Sequence, residues 1–401
     1  MNESSSLGAM ICIECRTGCA YPSGLPAYQR SLARHLPKLA PGVHFQLLRD
    51  KSWFDVPPHP NVHEVLVPGD AQSALAPALL SRVLDARGVK LLHATGGYYP
   101  SGIEAPVVTT IHDVLWITDP EWLRPRGIGG RLTAIACRRY VSEALSLSAR
   151  IIVPSEATLR AIEERAPEVR HRVRLVRHGV EDEFSPLEPN DEVGAAKMAR
   201  TVGRLLGPGA RYVLEVGRSA LFRNQGGLVR AFASAFASDR SLQLVFVQPM
   251  GETGRELIRV ARRAGVEGRV HILTGVPVPD LADLYRAAQC LCHPTLHEGF
   301  AMVVAEAMRC GCPVITSSRA GVGEIGEGAA QLINPENEDD IAGALRRVVL
   351  DTAVADRLRA RGLARARELT ARRMAEQTWE VYQEILGSTR RPSIMPPPSV
   401  R

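Results

Sequence analysis

The chain has 401 residues, more than one hydrophobic core ordinarily serves, so two similar-sized domains are expected. Apolar residues make up 45% and charged residues 23%, which excludes a disordered, collagen-like or coiled-coil chain. The net charge of +6 permits an acidic substrate or an anionic membrane surface without demanding either, and no nucleic-acid motif accompanies it.

No apolar run approaches the roughly 18 residues that cross a bilayer, and MNESSSLGAM lacks a basic segment followed by an apolar one, so a cytoplasmic protein is expected. The basic residues are nearly all arginine, with lysine only at Lys38, Lys51, Lys90 and Lys197. An arginine can therefore stand where relatives carry lysine.

Short apolar runs alternate with helix-length amphipathic stretches, the pattern of α/β units around parallel sheets. In the first half, strands are predicted at 10–15, 44–49, 62–67, 90–93, 106–112 and 150–154, with helices at 26–39, 71–87, 131–148 and 155–165. The acidic, proline-bearing EDEFSPLEPND marks a boundary near 186–195. The alternation restarts with strands at 211–217, 242–248, 269–273, 289–294, 312–316 and 329–333. Helices follow at 338–350, 352–368 and 371–386, and the proline-rich end beyond them reads as disordered.

Ligands of open parallel sheets bind outside the carboxyl ends of the strands, so two such domains imply a cleft with its chemistry at strand-to-helix turns. The first such turn is YPSGLPAY at 21–28, where Gly24 lets backbone approach a diphosphate; it lacks the G-x-G-x-x-G spacing of a dinucleotide site and equally serves as a plain turn. IHDV at 111–114 puts His112 and Asp113 at the end of the strand PVVTT, as a catalytic pair or a loop hydrogen bond. In LEVGRSALFRN at 214–224, Arg218 and Arg223 beside a strand end form a clamp suited to phosphate oxygens, against the plainer reading of solvated arginines.

The most informative stretch is HPTLHEGFAMVVAEAMRCGCPVI, with a strand ending at Pro294 and a helix expected from about Gly299 to Arg309. On a helix, Glu298 and Glu306 would lie about 12 Å apart along the axis and roughly 80° around it. That separation suits the two ends of a sugar nucleotide, with the diphosphate near free amides of Gly299 and Phe300 at the helix N-terminus. Thr295-x-x-Glu298 also reads as a capping box. Glu306 lies among Val303, Val304, Ala305, Ala307 and Met308, where a lone buried carboxylate is costly; a pair of ligand hydroxyls, or an internal arginine, would satisfy it.

The eight cysteines include a cluster at Cys12, Cys15 and Cys19 and the pairs Cys290/Cys292 and Cys310/Cys312. Cys12 and Cys290/Cys292 fall in short apolar runs, where free Cys packs as a small hydrophobe, so neither a structural metal nor disulfides are expected. With no D-x-D triplet and no metal-spaced His/Asp/Glu cluster, charge on a leaving diphosphate would fall to Arg218, Arg223 and helix amides, without metal or other cofactor.

Taken together, these stretches resemble the family 4 glycosyltransferases, retaining enzymes of the GT-B fold that use nucleotide-activated sugars. The resemblance runs from Ser23-Gly24 through IHD, IIVPSEAT at 151–158, RHGVEDEFSP at 177–186 and VGR at 216–218 to the E-x7-E pair Glu298/Glu306 and GCPVITS at 311–317. It implies two Rossmann-like domains facing across a cleft: residues 1–187 on the acceptor side, 188–370 binding the nucleotide sugar, and a helix at 371–388 packing back on the first domain, with 389–401 a disordered tail. Catalysis would involve His112, Asp113, Arg218, Arg223 and Glu298. Donor binding would involve Gly24, Arg218, Arg223, Asn224, Glu298, Gly299, Phe300 and Glu306, the last holding the ribose.

One departure is Arg223, where the family usually has lysine before the asparagine that here is Asn224. A forked guanidinium is not a point charge and places a phosphate differently.

The resemblance implies transfer of a hexose of mannose or glucose type from a GDP- or UDP-sugar to a hydroxyl, with retention. The product would belong to cell-surface polysaccharide or glycolipid assembly, or to a natural product. The arginines Arg124, Arg126, Arg131, Arg138, Arg139 and Arg150 of the 121–150 stretch suit either a lipid-linked acceptor and peripheral contact with the inner membrane face, or a solvated helix face. The competing expectation, motivated by Arg223, is a partner protein that binds sugar nucleotide without transferring it.

Overall fold

A computed structural model describes residues 10–16, 24–50, 58–67, 88–100, 103–118, 127–218 and 220–387. The helix expected at 71–87, loop residues 21–23 and the tail at 389–401 lie outside them. The chain divides into two units: residues up to Gly179 together with those from Ala371 onward, and Val180–Thr370.

The first unit is built on seven parallel strands, β1 (Met10–Glu14), β2 (His44–Arg49), β3 (Val62–Leu66), β4 (Val89–Ala94), β5 (Val107–Thr110), β6 (Arg150–Val153) and β7 (Val173–Leu175), in the order β3-β2-β1-β4-β5-β6-β7. Their described helices are α1 (Leu25–Leu39), α2 (Leu115–Thr118), α3 (Gly127–Leu147) and α4 (Glu156–Arg165). A parallel sheet is covered on both faces, and Ile11, Cys12 and Ile13 of β1 are accordingly buried in succession. Strand order reverses between β1 and β4, where Ile11 stands opposite Phe45 on one side and Leu91 on the other.

The second unit repeats the plan with β8 (Arg211–Val216), β9 (Leu242–Val247), β10 (Val270–Leu273), β11 (Cys290–His293), β12 (Val314–Ser317) and β13 (Gln331–Ile333), in the order β10-β9-β8-β11-β12-β13. Its helices are α5 (Glu192–Leu206), α6 (Gln225–Ala235), α7 (Gly251–Arg263), α8 (Val278–Ala287), α9 (Met302–Arg309), α10 (Ala320–Gly326), α11 (Glu338–Leu350) and α12 (Thr352–Ala366). Leu228 and Phe232 of α6 and Leu345 of α11 meet Val213, Leu244 and Ile315 of the sheet in one core. Here the order reverses between β8 and β11.

Residues 180–187, assigned above to the first domain, cluster with the second unit. The Val180 amide donates to Leu369 O at 2.9 Å, Arg286 and Arg309 donate to the carbonyls of Ser185 and Phe184, and the Phe184 ring packs edge-on against Tyr285. These bonds outweigh the composition change that marked the boundary eight residues later.

The last helix, α13 (Ala371–Leu386), joins the first unit, where Met374, Val381 and Tyr382 share a core with Tyr28, Leu32 and Leu36 of α1. Glu384 on α13 pairs with Arg150 and Arg174 at 2.7 Å, so Arg150 is committed to an ion pair rather than offered to a lipid surface. Arg138 and Arg139 are exposed on α3; Arg124 and Arg126, and the side chain of Arg131, lie outside the described residues. Among the described residues no helix is long and apolar enough to cross a membrane, no group of three or more His, Cys, Asp or Glu is arranged to hold a metal, and the seven described cysteines are free thiols.

A buried hydrogen-bond chain ties α13 to the sheet. The Tyr382 hydroxyl lies 2.6 Å from His93 Nδ1, His93 Nε2 lies 2.7 Å from Thr110 Oγ1, and Thr110 Oγ1 lies 2.8 Å from the Tyr28 hydroxyl. Tyr382→Phe leaves a buried His93 nitrogen without its partner, so we expect a loss of about 1–3 kcal/mol, read as a lower urea midpoint. Burial, reinforced by His112, holds the His93 pKa down at about 3. An unfolded histidine takes up its proton near pH 6.5, so the stability His93 contributes is complete above that value and is lost as the pH falls toward 3. The urea midpoint is therefore expected to drop between pH 7 and pH 5, and to drop less in His93→Gln.

Candidate functional site

In the second unit the polar groups gather at the carboxyl ends of β8 and β11, where the strand order reverses and an open α/β sheet accepts ligands. β8 ends at Gly217, whose φ of +137° disfavours any side chain. A Cβ there would also lie 3.3 Å from the Arg223 guanidinium, so glycine lets that side chain lie over the backbone. Arg218 follows, exposed. A short 3₁₀ turn, Leu221–Arg223, then leads into α6.

Arg223 is held from two sides. Its Nη2 lies 2.7 Å from Glu298 Oε1, with both side chains 15% exposed, and its Nη1 lies 2.8 Å from Nε2 of the buried His293. The loop carrying Glu298 is pinned to the same turn, since the Leu296 amide and the Thr295 hydroxyl both donate to Phe222 O. Thr295 is thus occupied here and does not cap a helix. Burial raises the Glu298 pKa, but Arg223 and then His293 outweigh it and hold the carboxyl below its usual range. Glu298 is therefore an anion at neutral pH.

The helix expected from Gly299 begins three residues later: α9 starts at Met302, with Ala301 as its N-cap and no side-chain cap. Glu298 therefore lies on a loop, and Gly299 and Phe300 are buried residues ahead of the helix rather than its first turn. The separation computed for two glutamates on one helix does not apply. Glu306, buried on α9, accepts a hydrogen bond from the Tyr285 hydroxyl at 2.9 Å. Burial, with Glu306 beside it, pushes the Tyr285 pKa well up and keeps that proton in place. Asn224, expected at the donor, adopts φ +48° and donates from Nδ2 to Pro335 O at 2.6 Å, which fastens the turn before α6 to the segment after β13.

In the first unit the site residues flank the reversal between β1 and β4. Gly24 is the N-cap of α1 with φ +74°, and a Cβ there meets nothing within 4 Å, so backbone conformation rather than crowding calls for glycine. β5 ends at Thr110, two residues earlier than expected, which puts His112 just past the strand. Its Nε2 donates to Thr95 O at 2.7 Å, leaving Nδ1 to accept from His178 Nε2 at 2.9 Å. Both ring nitrogens are engaged, neither by Asp113. The Asp113 carboxylate accepts from the Leu115 amide at 3.1 Å at the start of α2. Burial pushes the His112 and His178 pKa values down, in His178 with help from His112, so this pair is neutral. Tyr28 packs against both rings, with centroids 5.1 and 4.6 Å away.

Several members escaped the sequence reading: Glu215, His293 and Tyr285 in the second unit, and His93 and His178 in the first. Each of the first two is a lone polar residue in or at the end of an apolar strand, LEV and CLCH, and that contrast was the available signal.

The family Glycosyltransferase Family 4 matches residues 22–184, and Glycosyl transferases group 1 matches residues 204–365. The chain is 24% identical over 294 residues to O-antigen chain mannosyltransferase B of Escherichia coli, covering 73% of this chain and 74% of that one. Among solved structures, sucrose-phosphate synthase of Thermosynechococcus elongatus superposes with a TM-score of 0.73 at 22% identity, covering 94% of this chain and 99% of that one. Anabaena HepE, solved with UDP and glucose, superposes with a TM-score of 0.71 at 18% identity, covering 94% and 100%. Two parallel-sheet units and both family matches identify the chain as a glycosyltransferase of the GT-B fold, belonging to the group 1 glycosyltransferases.

Proposed function

We propose that this glycosyltransferase moves a hexosyl group from a nucleoside diphosphate sugar to a hydroxyl acceptor with retention of anomeric configuration, in the assembly of a cell-surface glycan. The observation that carries the reading is the pairing of two buried or nearly buried carboxylates, Glu298 and Glu306, at the reversal of the second sheet, with Arg223 fixing the first. Glu306 takes ribose hydroxyls and Glu298 takes hydroxyls of the sugar. Arg218, exposed at the end of β8, meets the diphosphate.

This division revises the expected arginine clamp. Arg223 is committed to Glu298 and His293, so it orients the sugar-binding carboxylate, and Arg218 with the uncapped first turn of α9 supplies positive charge to the departing phosphate. Transfer on this scheme needs no metal, and the leaving phosphate oxygen accepts the acceptor's proton. A mannosyl or glucosyl donor carried on GDP or UDP is favoured by the name of the E. coli relative and by the UDP and glucose bound to HepE.

Titration of the purified protein with UDP-, GDP-, ADP- and TDP-sugars, following binding heat and slow donor hydrolysis together, is expected to single out one donor. Glu306→Ala should weaken that donor by roughly 10- to 100-fold, the worth of one or two charge-assisted hydrogen bonds. Turnover with a hydroxyl acceptor should persist in a metal chelator, and proton NMR of the first-formed product should show the donor's anomeric configuration. Saturable binding without hydrolysis or transfer to any hydroxyl acceptor would move the chain to the sugar-nucleotide-binding partner reading. An inverted product would sink retention alone.

A further inference from the structure

Behind Glu298 and Arg223 lies a fully buried polar chain that the transfer scheme leaves idle. Glu215, on β8 between Leu214 and Val216, has no solvent exposure. Its Oε2 accepts from Gln225 Nε2 at 2.8 Å, and its Oε1 lies 3.2 Å from Nδ1 of His293. His293 is equally buried, and its Nε2 lies 2.8 Å from Glu298 Oε2 and 2.8 Å from Arg223 Nη1.

The hydrogens of this chain can be assigned from its acceptors. Both oxygens of Glu215 face donors as acceptors, Oε2 toward Gln225 Nε2 and Oε1 toward His293, so His293 Nδ1 carries a hydrogen. Nε2 then faces one acceptor and one donor and cannot serve both. Protonated, it donates to Glu298 Oε2. Deprotonated, its lone pair accepts from Arg223 Nη1, and Glu298 Oε2 loses that donor while Oε1 keeps Arg223 Nη2 at 2.7 Å.

We propose that His293 is a positioning residue for donor binding: Glu215 fixes its tautomer, and release of the Nε2 proton turns His293 to Arg223 and frees Glu298 Oε2 for a hydroxyl of the bound sugar. The inference rests on the donor-site reading of Glu298 given above. No bond of the sugar breaks in this step; the proton passes to the buffer, and a sugar hydroxyl replaces it as the donor to Glu298.

The groups facing His293 make that proton available. Glu215 approaches from β8, Arg223 from the 3₁₀ turn, and Glu298 with His297 beside it from the loop after β11, while Gln225 of α6, Gln248 of β9 and Thr316 of β12 bring only neutral polar groups. Burial pushes the imidazole pKa down, but Glu298 and Glu215 outweigh burial and Arg223 and set it above the usual histidine value. His293 therefore holds the proton near neutral pH, and a donor that competes for Glu298 displaces it.

The test is calorimetric titration of the full chain with UDP-glucose and with GDP-mannose, in pairs of buffers of different ionisation heat, across pH 5.5 to 8.5. A nucleotide sugar carries a diphosphate diester with no proton of its own to exchange in this range. Binding should release a fraction of one proton, with Kd tightening by up to about tenfold per pH unit below the His293 pKa and levelling above it. Glu215→Gln, which keeps the shape and removes the anion, should move that midpoint down by about one pH unit or more. His293→Gln should bind with a flat pH dependence and no proton release, its fold checked by circular dichroism; if it does not fold, wild type and Glu215→Gln decide. Donor binding with no proton exchange and a flat Kd in wild type overturns the inference and leaves the donor site standing, as does proton release that survives in His293→Gln. Absence of binding by either sugar nucleotide at every pH overturns both readings together.

Discussion

A carboxylate with no access to water, set on a central strand of the second sheet, is the constraint around which that unit's site is arranged. A carboxyl group at Glu215, among Leu214, Val216 and the apolar core, needs hydrogen-bond partners within the protein, and Gln225 and His293 supply them. His293 in turn stands against Glu298, and Glu298 against Arg223, so acid and base alternate from the core outward to a nearly buried edge. Gly217 belongs to the same arrangement, because its φ of +137° suits glycine and a Cβ there would crowd the guanidinium that lies back over the strand end. A change at any member leaves a buried charge without its opposite, and the chain binds together two segments, 215–225 and 293–298, that lie far apart in sequence.

The first unit meets the same demand with one buried ion pair and a set of neutral histidines. At its reversal Glu14 and Arg16 form a buried pair joined by the Tyr98 hydroxyl, while burial holds the histidines uncharged. Backbone oxygen at Thr95 decides which nitrogen of His112 carries hydrogen, and so which nitrogen of His178 does. Thr95 is itself anchored, donating from its hydroxyl to Glu14 O and accepting from Gln29 Nε2. Proton positions in this half are thus set by the strands and not by solvent.

Much of this was legible in the sequence. Near-continuous apolar runs located the strands to within a residue or two, because parallel strands covered on both faces leave no room for polar alternation. The short β7 escaped, since Val173–Leu175 is flanked and interrupted by basic residues. The α5 helix escaped because the acidic composition before it drew attention away from Asp191, whose side chain caps it by accepting from the Gly194 amide. The motif at 293–313 was read as one helix carrying both glutamates, whereas Glu298 lies on a loop and only Glu306 on α9. Apolar periodicity continues through Gly299 and Phe300, yet the chain stays non-helical there, with the preceding Thr295 tied to Phe222 O. Partners such as Tyr285 for Glu306 come from a separate helix, and no spacing along one segment reveals them.

The return of α13 to the first unit has a kinetic meaning. Val180–Thr370 is contiguous and contains its whole sheet and core, whereas the first unit lacks Met374, Val381 and Tyr382 until the last helix is made. During synthesis the second unit can close on itself as it emerges, while the first waits through about two hundred further residues, on the order of ten to forty seconds at ordinary rates of translation. In that interval the face of the first unit that receives α13, with Tyr28, Leu32 and Leu36 on it, is an uncovered apolar surface.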